Sequence, residues 1–450
     1  MSRLLLLVAV AVLEMDNGLP HGGFAVALLY AAGGLLAAAS LGARVAAVPA
    51  PRWLVRVVAV LVVGGLVALG LARSAALTLG AGAPSWLVVA VFTASSGLAV
   101  TAALGAGRGP VVALVVLQAL ALAVAVHSTP ATIDVEAFLR EGGRALLHGH
   151  DPYALHIENP YSPANTRHYY SPGTVVDGRL VYGFPYLPVS LLVTLPGMLA
   201  GDVRLAHLAL MVVTSLVLVR IAPDRLGRML ATLVVVSPLS MMVVLESWTE
   251  PTLLLGVVLL VWALHRGRPW AGVAGTVLFL GAKQYVVVAL PLLAAVRARL
   301  GTRVVVGGLL LVAALVVPFA LADPGALARS VVEFHLHQPF RADSDSLLVA
   351  SVLRFGWPPP WSYGVLPLVA GLVVALLLAG PARRSPGAFA AATGLTLLST
   401  VLLSKQALPN YFWLVQMCFV AAAAVGLGWQ PEGEPEDAGS VRQITTQTRP

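Results

Sequence analysis

The stretch PVVALVVLQALALAVAVHSTP (110–130), continued by ATIDVEAFLR (131–140), decides how this chain is read. Its first part, from Val111 to Val126, is an apolar run interrupted only by Gln118. Its second part delivers Asp134, the first acidic residue after Asp16. An apolar run approaching the ~20 residues that cross a bilayer, ending near a carboxylate, reads as a transmembrane helix that opens onto a polar surface. Similar runs lie on either side of it. They occur near 22–43, 53–72 and 83–105, then near 184–200, 203–220, 229–246, 250–264, 270–281 and 284–296. A last set lies near 304–322, 361–380, 388–404 and 409–428, with 346–354 too short to span. Of the 450 residues, 58% are hydrophobic and 11% charged, against roughly 25% charged in a soluble domain. Mean hydropathy is +0.88. Too few charges remain to cover a soluble globule, which argues against a soluble enzyme and for an all-α polytopic transmembrane bundle.

Charge placement sets an expected orientation. The chain has 28 Lys plus Arg against 20 Asp plus Glu, a net +8. The arginines sit singly or in pairs between apolar runs, which is the signature of cytoplasmic loops and not of a nucleic-acid-binding surface. Arg44, Arg52 and Arg56 mark one such loop and Arg108 another. Arg220, Arg225 and Arg228, then Arg266 and Arg268, then Arg297, Arg299 and Arg303, and finally Arg383 and Arg384, continue the series. Counting crossings from Arg108 and back from Arg383 puts two polar loops, 128–183 and 323–360, on the same outer face. The count does not close everywhere. Two apolar runs separate the first outer loop from Arg220 where an odd number is needed. The runs 270–281 and 284–296, each about 12 residues and roughly 18 Å as helix, are too short to span singly. Broken or re-entrant segments with Lys283 and Gln284 at a turn account for this; one bent helix is the alternative. Residues 1–109 read as N-terminal transmembrane helices, 110–430 as the core, and 431–450 as a disordered cytoplasmic tail. The start, Ser2 to Leu13, lacks the small-residue pattern of a cleaved signal peptide. The single cysteine, Cys418, forms no intrachain disulfide.

The outer loops hold the candidate chemistry. Apolar residues at 135, 138, 139, 145, 146 and 147 predict a short amphipathic helix along the membrane surface, stopped by Gly149 and Asp151-Pro152. Asp134 then sits at the rim, either as a helix cap or as a general base for a hydroxyl within hydrogen-bond reach. Glu136, two positions on, points away from that face. The segment 153–186 is dense in Tyr, Pro, Asn and His, and aromatics such as Tyr153, Tyr182 and Tyr186 suit either sugar rings or an interfacial belt. Glu246 and Glu250, around Trp248, are expected on the outer side, orienting an acceptor or defining a helix turn. Lys283 interrupts apolar sequence, where an unpaired charge costs ~2.5–3.5 kcal/mol, so it calls for a partner or a function. Lys405, the only other lysine, ends the run 388–404 and marks either a site or the outer interface.

Four quoted segments carry a resemblance. They are GHDPY (149–153), YGFPYLPVSLLVTLP (182–196), GAKQYVVVALPLL (281–293) and FHLHQPFRADSDSL (334–347). In this order after Asp134, they resemble bacterial polytopic C-class glycosyltransferases of the polyprenol-phosphate-mannose-dependent mannosyltransferase family, over roughly 110 to 430. The resemblance implies a C-class transmembrane fold and an aspartate general base at Asp134. It also implies a lysine at Lys283 and an outer-loop pattern at Gln338, Pro339, Phe340 and Arg341. The implied donor is a polyprenyl-phosphate-linked sugar, mannose in that family, and the implied acceptor an extracytoplasmic glycan or glycolipid. Lys283 and Arg341 would balance the leaving phosphate, since cation–phosphate hydrogen bonds are among the stronger ones. Further contacts to sugar or acceptor are expected among Glu136, Tyr153, Tyr182, Tyr186, Glu246, Glu250, Tyr285, His335, His337 and Gln338. Arg341 has a surface pairing with Asp343 or Asp345 as its alternative.

No cofactor is expected, and a divalent cation at Asp343, Asp345, His335 and His337 is left open. No phosphate-cradling Gly-rich loop followed by Lys and Ser/Thr, and no His-Glu-x-x-His pattern, is present. The localisation expected is a multi-pass plasma-membrane protein with its site on the extracytoplasmic side. A transporter or lipid-linked sugar flippase uses the same broken helices and internal charges, and a structural assembly protein is a third class.

Overall fold

The computed structural model describes residues 1–14, 24–42, 50–51, 53–58, 61–62, 108–131, 133–357 and 364–427. The runs expected at 53–72 and 83–105, residues Arg44 and Arg52, and the tail 431–450 lie wholly or mostly outside them. The described chain is an all-α bundle, with one two-stranded ribbon pairing Val175–Val176 and Arg179–Leu180. Among the described residues four helices are long and apolar enough to cross a membrane: Arg108–Ser128, Arg204–Ile221, Arg225–Leu245 and Thr302–Ala322. Shorter apolar helices include Phe24–Ser40, Pro269–Leu280, Leu366–Leu378, Pro386–Leu402 and Pro409–Val425. Thr302–Ala322 exposes apolar side chains around much of its surface, with Leu310 65% and Leu321 81% accessible. Such a face is stable against hydrocarbon, not water.

The bundle has a basic end and a polar end. Arg299, Arg383 and Arg384 border one cavity of about 160 Å³ together with Leu264, just before Arg266. Arg384 donates to the Leu41 carbonyl at 2.9 Å. Arg3 binds Asp224 at 2.6 Å, and Asp224 in turn caps the helix that begins at Arg225. At the far end of the same helices the two polar loops meet. Ser330 Oγ donates to the Tyr153 carbonyl at 3.0 Å and accepts from the Gly183 amide at 2.9 Å. The Asp345 amide donates to the Ala407 carbonyl at 2.9 Å.

The uneven crossing count has a structural resolution. The apolar run 184–200 is not one helix but two five-residue pieces, Pro188–Leu192 and Leu195–Leu199. Arg204, just after them, donates to the carbonyls of Val126 at 2.8 Å and Thr129 at 2.6 Å, which ties the start of Arg204–Ile221 to the end of Arg108–Ser128. Only Arg204–Ile221 then runs on to the basic end. The second anomaly is a two-legged excursion. Pro269–Leu280 rises from the basic end, and the chain turns at Gly281–Lys283 and returns through Gln284–Leu300. The return begins as nine residues of 3-10 helix and continues as eight residues of α-helix, together roughly 30 Å. The two interruptions complete each other's backbone hydrogen bonds. The Leu187 and Val189 amides donate to the carbonyls of Ala282 and Gly281 at 3.2 and 3.1 Å, and Ser190 Oγ donates to Ala282 at 2.6 Å.

Ser2–Glu14 was not counted among the expected spans, yet it is a helix with Leu6, Leu7, Ala9 and Val10 fully buried. It packs against Pro409–Val425, where Gln416 donates to the Val10 carbonyl at 3.2 Å. Small residues permit a close helix approach between Glu250–Arg266 and Pro269–Leu280. A Cβ on Gly275 would lie 2.8 Å from the Gly256 carbonyl oxygen and 2.9 Å from the Leu260 amide nitrogen. Backbone cannot yield as a side chain can, so Gly275→Val is expected to destabilise the protein by about 1–3 kcal/mol. Gly307→Val, where a Cβ meets only Val273 at 3.9 Å, is the matched control. Thermal unfolding of both variants in detergent measures the difference.

Candidate functional site

The chain leaves the Arg108–Ser128 helix and re-enters helix at Asp134–Leu147, the amphipathic element anticipated from its apolar spacing. It ends at Leu147, and Gly149 follows in the left-handed region at φ 76°. Asp134 is the first helical residue, preceded by Ile133 at the cap position with no side-chain capping bond. Its carboxylate therefore does not cap the helix; it accepts from the Tyr170 hydroxyl at 2.5 Å. The Asp134 amide donates to the Tyr161 hydroxyl at 3.0 Å. Asp134 is part-exposed but densely surrounded by protein, and that burial raises its pKa above the ordinary carboxylate value. The Tyr170 bond and the nearby Arg341 charge oppose the rise without cancelling it.

Arg341 approaches from the second polar loop. Its Nε donates to Asp343 at 2.9 Å, a second nitrogen bonds the other carboxylate oxygen, and its guanidinium lies 4.7 Å from the Tyr169 ring centre. This pair holds Asp343 below the usual carboxylate range. His168 stands 3.5 Å from the same carboxylate. Phe334 joins the loops through ring contacts with Phe138, Tyr170 and Tyr182 at 5.8, 6.4 and 5.5 Å.

A second polar centre forms at the helix break. Lys283 Nζ donates to Glu250 Oε1 at 2.6 Å, and both side chains are buried. Asn410 donates to the same oxygen at 2.9 Å. The rings of Tyr186 and Tyr411 lie 4.6 and 5.6 Å from Nζ. Glu250 thus meets the lysine at the start of the helix Glu250–Arg266. Glu250 Oε2 and the Tyr285 hydroxyl are buried with no partner among the described residues. His335 Nε2 engages the Pro185 carbonyl at 2.8 Å, and Gln284 donates to Pro185 and Val331 at 3.3 and 2.8 Å.

Between these centres and the bundle surface lies a half-open cavity of about 350 Å³. Tyr186, Lys283, Tyr285, Lys405, Gln406 and Tyr411 give it a polar wall, and Val287, Val332, Leu336 and Leu368 an apolar one. Its borders include the long 3-10 helix Gln284–Leu292 and the π-turn Arg329–Glu333. Irregular helices of this kind are frequent at functional sites.

The other sequence candidates divide. Tyr182, Gln338 and His335 lie among the meeting loops. Gln338 accepts from Gln406 at 3.4 Å. Tyr153 is 2% exposed, and its hydroxyl donates to the Tyr186 carbonyl at 3.0 Å, so it builds the loop and presents no free group. Glu136 pairs with Arg140 along its own helix at 3.3 Å. His337 bonds the Glu333 carbonyl at 2.8 Å on the exposed side. Glu246 lies part-buried at the end of Pro238–Leu245. No group of three or more metal-ligating side chains converges among the described residues. Tyr161, Tyr170, Asn410 and Tyr411 were not singled out. The paired tyrosines of HYYSP were the only signal for Tyr170, and nothing local marks Asn410.

The Glu250–Lys283 pair predicts an asymmetric response. Glu250→Gln leaves a buried ammonium uncompensated and is expected to destabilise by about 3–5 kcal/mol. Glu250→Gln with Lys283→Met removes both charges and is expected to be less damaging than the sum of the single changes. Thermal unfolding of the four proteins in one detergent closes the cycle. Protein-family models, curated proteins and solved structures contain no match to this chain.

Proposed function

We propose that the protein is a C-class glycosyltransferase of the plasma membrane, moving a sugar, mannose by resemblance, from a polyprenyl phosphate to an extracytoplasmic glycan or glycolipid. The observation that carries the reading is Asp134: a part-exposed carboxylate with raised pKa, fixed by Tyr170 where the two polar loops meet through Phe334. The basic end belongs to the cytoplasm by the positive-inside rule, which puts both polar loops outside. The interruptions at 188–199 and 281–284 are re-entrant in this reading. Non-helical backbone at membrane depth is tolerated where it is buried in protein or lines a cavity.

In the reaction, Asp134 takes the proton of the acceptor hydroxyl. The freed oxygen attacks the anomeric carbon from the face opposite the phosphate, the carbon–oxygen bond to phosphate breaks, and the polyprenyl phosphate leaves with the electron pair. The anomeric centre inverts. A raised pKa strengthens a base, provided the pH still leaves it ionised. Arg341 and Lys283 supply positive charge around the leaving group, each already steadied by a carboxylate. Preorganised charge of this kind acts without reorganising as the reaction proceeds.

The buried charge pair at a helix break also suits a transporter or flippase. Reconstituted protein with labelled polyprenyl-phosphate-mannose separates the two: glycosidic product supports transfer, and donor movement without product supports transport. Asp134→Asn is expected to lower transfer by roughly 10²–10⁴-fold while donor binding persists. Wild-type transfer falls as pH drops through the raised pKa of Asp134, because the protonated carboxyl accepts nothing. Tyr170→Phe removes a bond that lowers that pKa, so the acidic limb is expected to move to higher pH. A rate–pH profile of the variant reads the displacement, and an unmoved limb would remove Asp134 as the titrating base.

A further inference from the structure

A second cavity lies at the basic end of the bundle, away from the polar loops. It measures about 160 Å³ and forms where the ends of Glu250–Arg266 and Leu293–Leu300 meet the turn Pro381–Arg383 and the start of Pro386–Leu402. Ala295, Ala382 and Ser385 give it a buried floor. Arg299, Arg383 and Arg384 line it from exposed positions, and no Asp or Glu does. Among the described residues no carboxylate pairs with Arg383 or Arg384, and Arg384 is held by a neutral carbonyl, that of Leu41, at 2.9 Å. Asp224, the acidic residue that caps a helix at this end, is already taken by Arg3. The start of Pro386–Leu402 adds little attraction of its own, since Ser385 Oγ accepts from the Ala388 amide at 3.0 Å. The cavity is therefore a cluster of cations without counter-charge among the residues that line it.

Two features set this cavity at the depth of lipid headgroups. Trp262, one turn before Arg266, meets Trp270, just after Arg268, edge-on with ring centres 5.0 Å apart, and Trp270 is 57% exposed. Tryptophans collect where a membrane meets water, and Leu264, between Trp262 and Arg266, lines the cavity itself. Leu376 and Leu377, shortly before Pro381, remain 59 and 72% exposed, so an apolar face leads up to the arginines. An acyl chain can use that face, whereas a soluble anion cannot. We infer that Arg299, Arg383 and Arg384 seat the phosphate of an anionic phospholipid from the leaflet at the basic end, with its chains against Leu376 and Leu377. Guanidinium forks match phosphate oxygens two at a time, and basic pockets between transmembrane helices suit anionic headgroups. A zwitterionic headgroup carries its own ammonium, which three arginines repel.

The test titrates tail-labelled phosphatidylglycerol into the full-length protein in mixed micelles of a neutral detergent, at about 0.15 M salt to screen exposed charge. Phosphatidylglycerol is expected to bind more tightly than phosphatidylcholine with the same label, and inorganic phosphate at equal concentration is expected not to displace it. Arg383→Gln is expected to weaken phosphatidylglycerol at least roughly tenfold, the range of a hydrogen bond to a charged group. Arg297→Gln removes a likewise exposed charge two residues from Arg299 but outside the cavity, and is expected to change the affinity by less than about threefold. Ala298→Phe narrows the cavity while keeping every arginine, and weakens binding too. Equal losses in Arg297→Gln and Arg383→Gln reduce the effect to general surface charge and overturn the site, as does equal binding of the two lipids. Displacement by inorganic phosphate at equal concentration overturns the lipid assignment in favour of a free anion. None of these readings requires sugar transfer, so this site and the transferase stand or fall separately.

Discussion

A helix that stops inside an apolar bundle leaves amides and carbonyls that neither water nor hydrocarbon will satisfy. This chain has two such ends, the start of the helix Pro188–Leu192 and the break at Gly281–Lys283 after Pro269–Leu280, and pairs them with each other. The Ala282 carbonyl accepts from both the Leu187 amide and the Ser190 hydroxyl, so neither segment could be broken alone without leaving polar groups stranded. Much of the site follows from that contact. It sets Lys283 on extended backbone, where its side chain reaches Glu250 at the start of the helix Glu250–Arg266. It also carries Tyr186 over the same ammonium.

The two charged centres solve the same dielectric problem differently. Glu250 and Lys283 are both buried and must be matched, since a lone charge in such surroundings is far more costly than the pair. Among the described residues Asp134 has no such close cation. Its proton affinity is left high by burial and trimmed by a tyrosine hydroxyl. A matched pair stabilises structure, whereas an unmatched carboxylate at an opening is reactive toward protons. Arg341 with Asp343 lies between these cases, partly buried and fully paired, with Tyr169 stacked over the guanidinium.

The sequence was legible where a local rule governs it. Apolar spacing from Val135 to Leu147 gave a surface helix, and Gly149 with Asp151-Pro152 marked its end, because both signals depend only on neighbouring residues. The mismatch between arginine count and apolar runs suggested broken segments, and the chain does break between Leu280 and Gln284. It did not show that the run 184–200 folds as two short helices, or that Arg204 after them grips Val126 and Thr129 from some 75 residues away. The Ser2–Glu14 helix escaped notice for a related reason: it is short, and its place in the core is set by Pro409–Val425 at the other end of the chain.

By itself the sequence determined the solvent. Its 58% hydrophobic and 11% charged composition requires a lipid-like environment, and the arginine periodicity divides the bundle into a basic and a polar end. Both are sums over many residues and survive any particular packing. Tertiary structure alone decided which charge faces which. Asn410 beside Glu250, Tyr170 against Asp134 and Lys405 on the Leu336 carbonyl join residues 36 to 160 positions apart. Hydrogen bonds act over about 3 Å, and no local pattern encodes a contact that exists only once separate helices have packed.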